Sequence, residues 1–306
     1  MRLGIDIGGT SVKIGVIDNY KIIDSYSIPT IKETLFDDIF TSINEYRLYN
    51  HIEIEGIGFG IPGNVENNYI YNMPNIGLKD IDIKKLSSKY FPNINIYSSN
   101  DANCAALGEH INNPKYHSSY LLTLGTGVGG GAIINDKIYE GTNFAAGEVG
   151  HMFIGTNYNF KCTCGLVSCL ETIASSTGIV RLYKYHYHEF NSGDIEDIST
   201  RVIFLKAKEG DKLSLFVVDT ISKALAHALA NIAVTINPDV FYIAGGVSLA
   251  GDILIDNIRK YYKEYAHYAV KNTPIEIATL KEKAGMLGAA YLWWYYEVRN
   301  KSSKNI

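Results

Sequence analysis

The chain has 306 residues, of which 46% are hydrophobic and 20% are charged, and its formal net charge is −4. This composition is typical of a globular protein with a substantial core, and it excludes the disordered and disulfide-dense classes. The absence of any block of Lys and Arg argues against a nucleic-acid partner. The sequence contains no run of about 18 apolar residues, so we expect no membrane span. The charged Arg2 argues against a signal peptide. We therefore expect a cytoplasmic protein.

Two segments of the chain have the same pattern of strand, glycine turn and strand. In the first, Leu3 to Ile7 and Val12 to Val16 alternate apolar and other residues around a glycine turn, which predicts a β-hairpin. In the second, Tyr120 to Leu124 and Ala132 to Ile134 surround a run of glycines. Two such hairpins, well separated in the chain, suggest a duplicated unit.

The rest of the chain alternates predicted strands and helices. Thr34 with Asp37 predicts a capping box at the start of a helix, and Asn237-Pro238 predicts the end of a long one. Further strands are expected at Ile22 to Ile28, Ile54 to Phe59, Ile94 to Tyr97 and Val240 to Ala244, and further helices from about Asp252 and from Ala284 to Val298, the last carrying Trp293 and Trp294.

Three glycine loops each follow an apolar strand: Gly8-Gly9-Thr10, Gly125-Thr126-Gly127 and Gly245-Gly246. Glycine allows successive backbone amides to converge on one point, so such loops bind phosphate without a charged side chain. For any single loop, a tight hairpin without a ligand is the alternative. Asp6 precedes the first loop, where its carboxylate is suited to hold Mg²⁺ directly or through water. Neither the dinucleotide-binding motif nor the Walker motif is matched.

Three of the four cysteines, Cys162, Cys164 and Cys169, lie within eight residues, and His151 precedes them. Three thiols and one imidazole are the usual donors of a closed, tetrahedral structural zinc site. Such clustering in a reducing compartment favours a metal over disulfides, and partly buried free thiols are the alternative. Cys104 stands apart, and we expect it only to pack within a helix.

Asp101 lies where a predicted strand meets a predicted helix. A carboxylate at such a position either caps the helix or, in an enzyme, is available to accept a proton. Asn100-Asp101 follows a predicted strand and opens a predicted helix. On the residues alone, a helix N-cap is therefore the stronger interpretation of Asp101.

The glycine loops resemble the motifs of a known superfamily. Asp6-Ile7-Gly8-Gly9-Thr10 and Leu124-Gly125-Thr126-Gly127 resemble the two phosphate motifs of the actin, hexokinase and sugar-kinase superfamily, and Ala244-Gly245-Gly246-Val247 resembles its adenosine motif. The resemblance implies binding of ATP with Mg²⁺ and an α/β fold of two ribonuclease-H-like (actin/hexokinase-type) domains with an interdomain cleft. The expected domains are residues 1–115, completed by a C-terminal helix at 286–306, and residues 116–285 with the zinc-binding loop.

The cysteine segment resembles the signature of the ROK family (repressors, open reading frames and kinases). Glu148-Val149-Gly150-His151 matches its E-x-G-H motif, and residues 162–171 match its C-x-C-G-x-x-G-C-L-E motif with Ser168 in place of the second glycine. The resemblance extends over nearly the whole chain, with the motifs in the family's order. It implies that His151 ligates zinc through one ring nitrogen and contacts the sugar through the other, while Glu148 and Glu171 hydrogen-bond sugar hydroxyls.

The same resemblance assigns the remaining sugar-side residues. Asn100-Asp101-Ala102-Asn103 resembles the family motif in which the aspartate is the general base and the asparagine binds sugar. Gly60-Ile61-Pro62-Gly63 and Pro74-Asn75 resemble the segments that carry Gly63 and Asn75 to the sugar. Leu78 departs from the pattern, because many glucose kinases of the family have tryptophan there, and this leaves the sugar open.

The sequence therefore predicts an ATP-dependent sugar kinase, most simply one that converts glucose to glucose 6-phosphate, with Asp101 as base. Kinases for N-acetylmannosamine, allose or fructose are the alternatives within the enzyme class. A non-catalytic sugar sensor or a ROK-type regulator is the alternative from another class. Regulators of the family carry an added N-terminal helix-turn-helix domain, and the position of Asp6 favours the enzyme. Many family members are dimers, so we expect a homodimer.

Overall fold

The computed structural model describes residues 1–195 and 197–302, except the side chains of Trp294 and residues 297–302. It forms two compact units. The first contains Met1–His117, Gly131–Gly147 and Leu280–Ile306, and the second contains Ser118–Gly130 and Glu148–Thr279. The domain boundaries expected from the sequence remain a prediction, and residues 303–306 of the expected C-terminal helix lie outside the described residues, as does the side chain of Trp294.

The strands, in chain order, are β1 (Arg2–Ile7), β2 (Ser11–Asp18), β3 (Lys21–Pro29), β4 (Gly56–Ile61), β5 (Asn64–Glu66), β6 (Tyr69–Met73), β7 (Leu78–Asp82), β8 (Asn95–Asn100), β9 (Ser119–Leu124), β10 (Val128–Ile134), β11 (Lys137–Tyr139), β12 (Val240–Ala244) and β13 (Ile275–Ile277). The helices are α1 (Leu35–Asn50), α2 (Ile83–Ser87), α3 (Asp101–Asn112), α4 (Glu171–Ala174), α5 (Ser176–Phe190), α6 (Thr200–Lys208), α7 (Lys212–Ile236), α8 (Asp252–Tyr265) and α9 (Ala284–Ser302). The elements are those of a mixed α/β fold, as the sequence predicts.

The first five-stranded sheet has the order β3-β2-β1-β4-β8. Strands β1, β2 and β3 are antiparallel neighbours, whereas β1, β4 and β8 run parallel. The inward residues of β1 and β2, among them Ile5 and Ile14, are fully buried and pack against the apolar face of α1. A three-stranded sheet, β5-β6-β7, belongs to the same unit.

The second five-stranded sheet has the order β11-β10-β9-β12-β13, with β9, β12 and β13 parallel. When the strands of each sheet are numbered by their appearance in the chain, both sheets read third, second, first, fourth, fifth. This common order is the duplication that the two glycine hairpins predict.

Helix α7 is the longest helix of the second unit. It ends at Ile236, and the following residue, Asn237, has a left-handed φ of 52°, as the Asn-Pro signal predicts. By length and composition α7 is able to cross a membrane, but 67% of its apolar window is buried inside the protein. Its apolar residues, for example Leu225 and Leu229, therefore belong to the core of the second unit.

Two local predictions were wrong. The expected capping box does not form at the start of α1, because the Thr34 hydroxyl donates to the Asp38 carboxylate at 2.6 Å and caps no backbone N–H. The expected glycine turn at residues 125–131 is shorter than predicted, because β10 already begins at Val128. In this sheet the later glycines are strand residues.

Candidate active site and metal centre

The candidate residues of the first unit lie at the carboxyl ends of three adjacent parallel strands. In the register of β1, β4 and β8, Asp6 is opposite Gly60, and Gly60 is opposite Ser99, the residue before Asn100. Ligands of open α/β sheets bind beyond this edge. The sheet therefore brings Asp6, the loop that begins at Gly60, and Asn100-Asp101 to one place.

Asn100, and not Asp101, is the N-cap of α3. Its side-chain oxygen accepts the N–H of Ala102 at 2.9 Å, and its Nδ2 donates to the carbonyl of Gly63 at 3.2 Å. Asp101 is the first helical residue, and its Oδ1 accepts the same Ala102 N–H at 2.9 Å. The N-cap interpretation of Asp101 was therefore wrong, since Asn100 occupies the cap position. Asn75 lies in the exposed turn that follows β6.

A buried thiol, that of Cys104, is influenced by the charges of several nearby carboxylates. Burial raises the pKa of the Cys104 thiol well above its usual value, and the negative charges of Asp6, Asp101 and Glu140 raise it further. Burial also raises the pKa of Asp6, and the nearby Lys13 opposes that shift. Carboxylate oxygens are the ligands that Mg²⁺ takes from proteins, usually one or two together with substrate phosphates. Asp6 fits that role.

The first glycine loop is held in place by β3. The Thr30 hydroxyl donates to the carbonyl of Gly8 at 2.8 Å, and the Thr30 N–H donates to the carbonyl of Thr10 at 3.1 Å. A Cβ added to Gly9 would meet no other atom within 4 Å. Gly9 therefore presents bare backbone, as a phosphate-binding loop requires.

The second and third loops lie together in the second unit. Gly125 donates its N–H to the carbonyl of Gly127 at 2.9 Å and accepts from the N–H of Ser176, the first residue of α5, at 2.8 Å. Gly245 has a φ of +86°, and a Cβ there would lie 2.4 Å from the carbonyl oxygen of Leu124. Glycine at 245 is thus required by both its backbone angle and the close approach of strand β9.

A cavity of about 660 Å³ opens beside these two loops. Its volume is within the range of roughly 300–1,000 Å³ found for ligand pockets. Helix α6 forms one wall of the cavity, although no motif in its sequence predicts a binding site. The lining residues are Gly125, Thr126, Ser176, Thr200, Arg201, Phe204, Leu205, Lys208, Gly246, Val247, Leu249 and Ala250.

The four expected zinc ligands converge in the second unit. Their donor atoms, from His151, Cys162, Cys164 and Cys169, all lie within 4.8 Å of one another. The sulfurs of Cys164 and Cys169 are 3.7 Å apart, and that of Cys162 is 3.5 Å from His151 Nδ1. A tetrahedral zinc with bonds of about 2.3 Å to sulfur separates two sulfurs by about 3.8 Å. The donor set and its spacing therefore fit Zn²⁺.

Two short antiparallel bridges, Phe153 with Cys169 and Lys161 with Val167, fold the cysteine loop back on itself. Gly165 closes the turn with a φ of +91°. Ser168, which replaces the family's glycine, has a φ of +58° and is buried. The loop therefore requires left-handed backbone at a residue with a side chain, a conformation that glycine adopts more readily.

The two ring nitrogens of His151 face different groups. Nδ1 faces the Cys162 sulfur, whereas Nε2 lies 3.8 Å from the carboxylate of Glu148. Glu171 lies on the other side of Cys162. Its Oε1 is 3.9 Å from that sulfur, and its Oε2 accepts the N–H of Val128 at 2.9 Å. Glu148 and Glu171 thus lie next to two of the candidate metal ligands, His151 and Cys162.

Known proteins with related sequences include sugar kinases of different specificity. The chain is 36% identical to a glucokinase of Halalkalibacterium halodurans, over 95% of this chain and 94% of that protein. It is 30% identical to an N-acetyl-D-glucosamine kinase of Citrobacter koseri, over 95% and 99% of the two chains. Among solved structures, a ROK family glucokinase from Streptomyces griseus in complex with glucose and AMPPNP is similar with a TM-score of 0.77 and 28% identity, over 95% and 98% of the two chains.

The family itself follows from a direct match. The family model described as ROK family matches residues 2–295, so nearly the whole chain is included. The α/β fold is the actin/hexokinase-type fold of ROK kinases, as the glycine motifs predict. The chain belongs to the ROK family and is an ATP-dependent sugar kinase.

Proposed function

We propose that the enzyme transfers the γ-phosphoryl group of ATP to the 6-hydroxyl of glucose, giving ADP and glucose 6-phosphate, the entry reaction of glycolysis. The observation that carries the proposal is the orientation of His151, with Nδ1 toward the thiols and Nε2 toward Glu148. A ring fixed at one nitrogen presents the other to a ligand in one direction. Similarity to glucokinases over nearly the whole chain supports glucose as that ligand.

Six residues are assigned to the sugar. Glu148, His151 and Glu171 offer a carboxylate, an imidazole nitrogen and a second carboxylate, groups that hydrogen-bond hydroxyls. On the first unit, the contacts are assigned to Gly63, Asn75 and Asn100. The bond from Asn100 to the Gly63 carbonyl supports pairing these two residues in one wall.

Asp101 is the proposed general base. Its carboxylate accepts the proton of the 6-hydroxyl as the oxygen attacks the γ-phosphorus, and the bond from phosphorus to the ADP oxygen breaks in line. The protonated carboxyl then releases its proton to solvent.

The nucleotide is assigned to the three glycine loops and to the cavity beside α6. Gly8, Gly9, Thr10, Gly125, Thr126 and Gly127 would contact phosphates, and Gly245 and Gly246 the adenosine. When bound, Mg²⁺ held by Asp6 neutralises charge on the phosphates. When bound, structural Zn²⁺ held by His151, Cys162, Cys164 and Cys169 fixes the cysteine loop. We also propose that the enzyme is cytoplasmic and forms a homodimer.

A second candidate function is phosphorylation of another hexose, such as N-acetylmannosamine, allose or fructose. The observation that favours it is Leu78, the first residue of β7, which replaces a tryptophan of many glucose kinases. The 30% identity to an N-acetyl-D-glucosamine kinase adds support. The wall residues of a sugar pocket decide which epimer fits, because one mispositioned hydroxyl leaves a polar group unpaired.

The test is ADP release from the purified enzyme with Mg-ATP and a panel of hexoses, with Asp101→Ala and Asp101→Asn beside it. We expect the highest kcat/KM on glucose, and a fall in kcat of about 10²–10⁴-fold in both variants at unchanged thermal stability. Highest turnover on another hexose would replace glucose with that sugar. Full activity in both variants would overturn the assignment of Asp101.

A further inference from the structure

We infer that Glu171 is a positioning residue for the loop at residues 124–128, so that it acts on nucleotide binding in addition to its proposed contact with sugar. The inference rests on the proposed nucleotide role of that loop. This role differs from the proposed sugar contact, because loss of the Glu171 side chain should weaken nucleotide binding even when no sugar is present.

The first support is the bond that the carboxylate makes. Oε2 of Glu171 accepts the N–H of Val128 at 2.9 Å. Val128 is the first residue of β10, so the bond fixes the point where the loop becomes a strand. A hydrogen bond from a backbone N–H to an ionised acceptor is roughly twice as strong as a neutral one.

The second support is the different surroundings of the two glycines. A Cβ on Gly127 would lie 2.5 Å from Oε2 of Glu171, whereas a Cβ on Gly125 would meet no other atom within 4 Å. Gly127 is therefore needed to admit the carboxylate, while Gly125 leaves backbone open to a ligand. Within one motif, a side chain at Gly127 would therefore meet Glu171, whereas a side chain at Gly125 would extend into open space.

The third support is the origin of the other bonds to this loop. Ser176 donates its N–H to the carbonyl of Gly125 at 2.8 Å, and the Thr177 hydroxyl lies 3.4 Å from the carbonyl of Thr126. Glu171, Ser176 and Thr177 lie within one short stretch of chain that follows Cys169. That stretch, which begins at the cysteine cluster, sets the conformation of the loop.

The experiment measures the affinity of Mg-AMPPNP in the absence of sugar by calorimetry. We expect Glu171→Ala to raise Kd about ten-fold or more, because the Val128 N–H loses a charged acceptor. Glu171→Gln retains an oxygen at that position, so its Kd should stay within about three-fold of the parent. Glu148→Ala is the matched control: it removes the other candidate sugar carboxylate of the unit, and its nucleotide Kd should not change.

A double-mutant cycle gives the second test. Gly127→Ala should raise Kd in the parent, because its Cβ displaces the carboxylate, and should cost clearly less in the Glu171→Ala background. If Glu171→Ala does not fold, the thermal stabilities of Gly127→Ala and Gly125→Ala are compared instead. Gly127→Ala should be the less stable of the two, since only its Cβ meets Glu171. An unchanged Kd in Glu171→Ala, or additive effects in the cycle, would overturn the inference.

A further variant separates this result from failure of the nucleotide assignment. Gly125→Val fills the open face of the loop and should abolish AMPPNP binding whatever Glu171 does. Loss of binding in Gly125→Val with no effect of Glu171→Ala would overturn the positioning role alone. Unchanged binding in Gly125→Val would overturn the proposed nucleotide loop and the inference with it.

Discussion

Asn100 and Asp101 accept the same backbone N–H, that of Ala102, each at 2.9 Å. Asn100 holds the cap position of α3, and its amide nitrogen also donates to the carbonyl of Gly63. The residue proposed to bind sugar is therefore also the residue that supplies the helix cap. If the Asn100 side chain is removed, Asp101 is the one of these two residues that still accepts the N–H of Ala102.

We therefore predict that Asn100→Ala lowers kcat by more than Asn100→Ser. Both variants lose the bond to Gly63, but serine is a good N-cap and alanine is not. Without a cap, Asp101 is drawn toward Ala102, and we expect kcat in the alanine variant to be about five-fold lower than in the serine variant, a difference of about 1 kcal/mol. Steady-state kinetics at saturating sugar provide the measurement. Equal kcat in the two variants would show that the cap does not influence Asp101.

Gly245 and Gly246 are adjacent in one motif, yet their substitution by alanine should have opposite consequences. Gly245 has a φ of +86° and lies against Leu124, whereas a Cβ on Gly246 meets no other atom within 4 Å. We expect Gly245→Ala to lower the free energy of unfolding by about 1–3 kcal/mol through strain. Gly246→Ala should leave it nearly unchanged and raise KM for ATP, because Gly246 lines the cavity. Urea denaturation and ATP titrations distinguish them, and equal stability of the two variants would contradict this assignment.

The parts of the site that the sequence predicted are carried by short contiguous motifs. The glycine loops and the cysteine segment have distinctive residue types at fixed spacing, and the structure brings the four expected ligands together as predicted. The wall formed by Arg201, Phe204 and Lys208 was missed, since these residues lie on a helix with ordinary amphipathic spacing and reach the cavity only through packing.

The burial and contacts of individual side chains were also harder to predict from the sequence than the motifs were. His186 lies in a polar, tyrosine-rich stretch of sequence, yet it is only 8% exposed and lies against Tyr158 and Phe216. The capping box expected at Thr34 failed for a local reason, because the Asp38 side chain, four residues later, accepts its hydroxyl. The burial of His186 depends instead on Tyr158 and Phe216, which are distant in sequence and which no local pattern specifies.

The candidate zinc site predicts that metal content depends on His151 and the three clustered cysteines, and not on Cys104. Cys164 is exposed while Cys162 and Cys169 are buried, and the three sulfurs lie around His151. We expect about one zinc per chain, lost in Cys164→Ser, together with lower thermal stability, since a closed structural site contributes folding energy. Cys104→Ala is the matched control, because this thiol belongs to the first unit and is not one of the grouped ligands, so the variant should retain zinc. Elemental analysis after gel filtration gives the answer; full zinc in Cys164→Ser would contradict the ligand set.

The partly buried carboxylate of Asp6 predicts that a substitution there has opposite effects on stability and on catalysis. Burial raises its pKa above the ordinary value near 3.8, despite the nearby Lys13. An acid whose pKa is raised by folding stabilises the protein in its protonated form. That contribution is complete below the unfolded pKa, and it is lost as the pH rises through the folded pKa. At neutral pH, without metal or nucleotide, the ionised Asp6 should therefore lower the stability of the folded protein, and the neutral side chain of Asp6→Asn should not.

We expect Asp6→Asn to be more stable than the parent at pH 7, with a smaller difference at pH 4. The variant should also lose most of its activity with Mg-ATP, because the carboxylate is the proposed magnesium ligand. Urea denaturation in the presence of a chelator at the two pH values measures the first effect, and ADP release measures the second. Lower stability of Asp6→Asn at pH 7 would mean that the attraction to Lys13 outweighs the cost of burial, and full activity would remove Asp6 from the magnesium site.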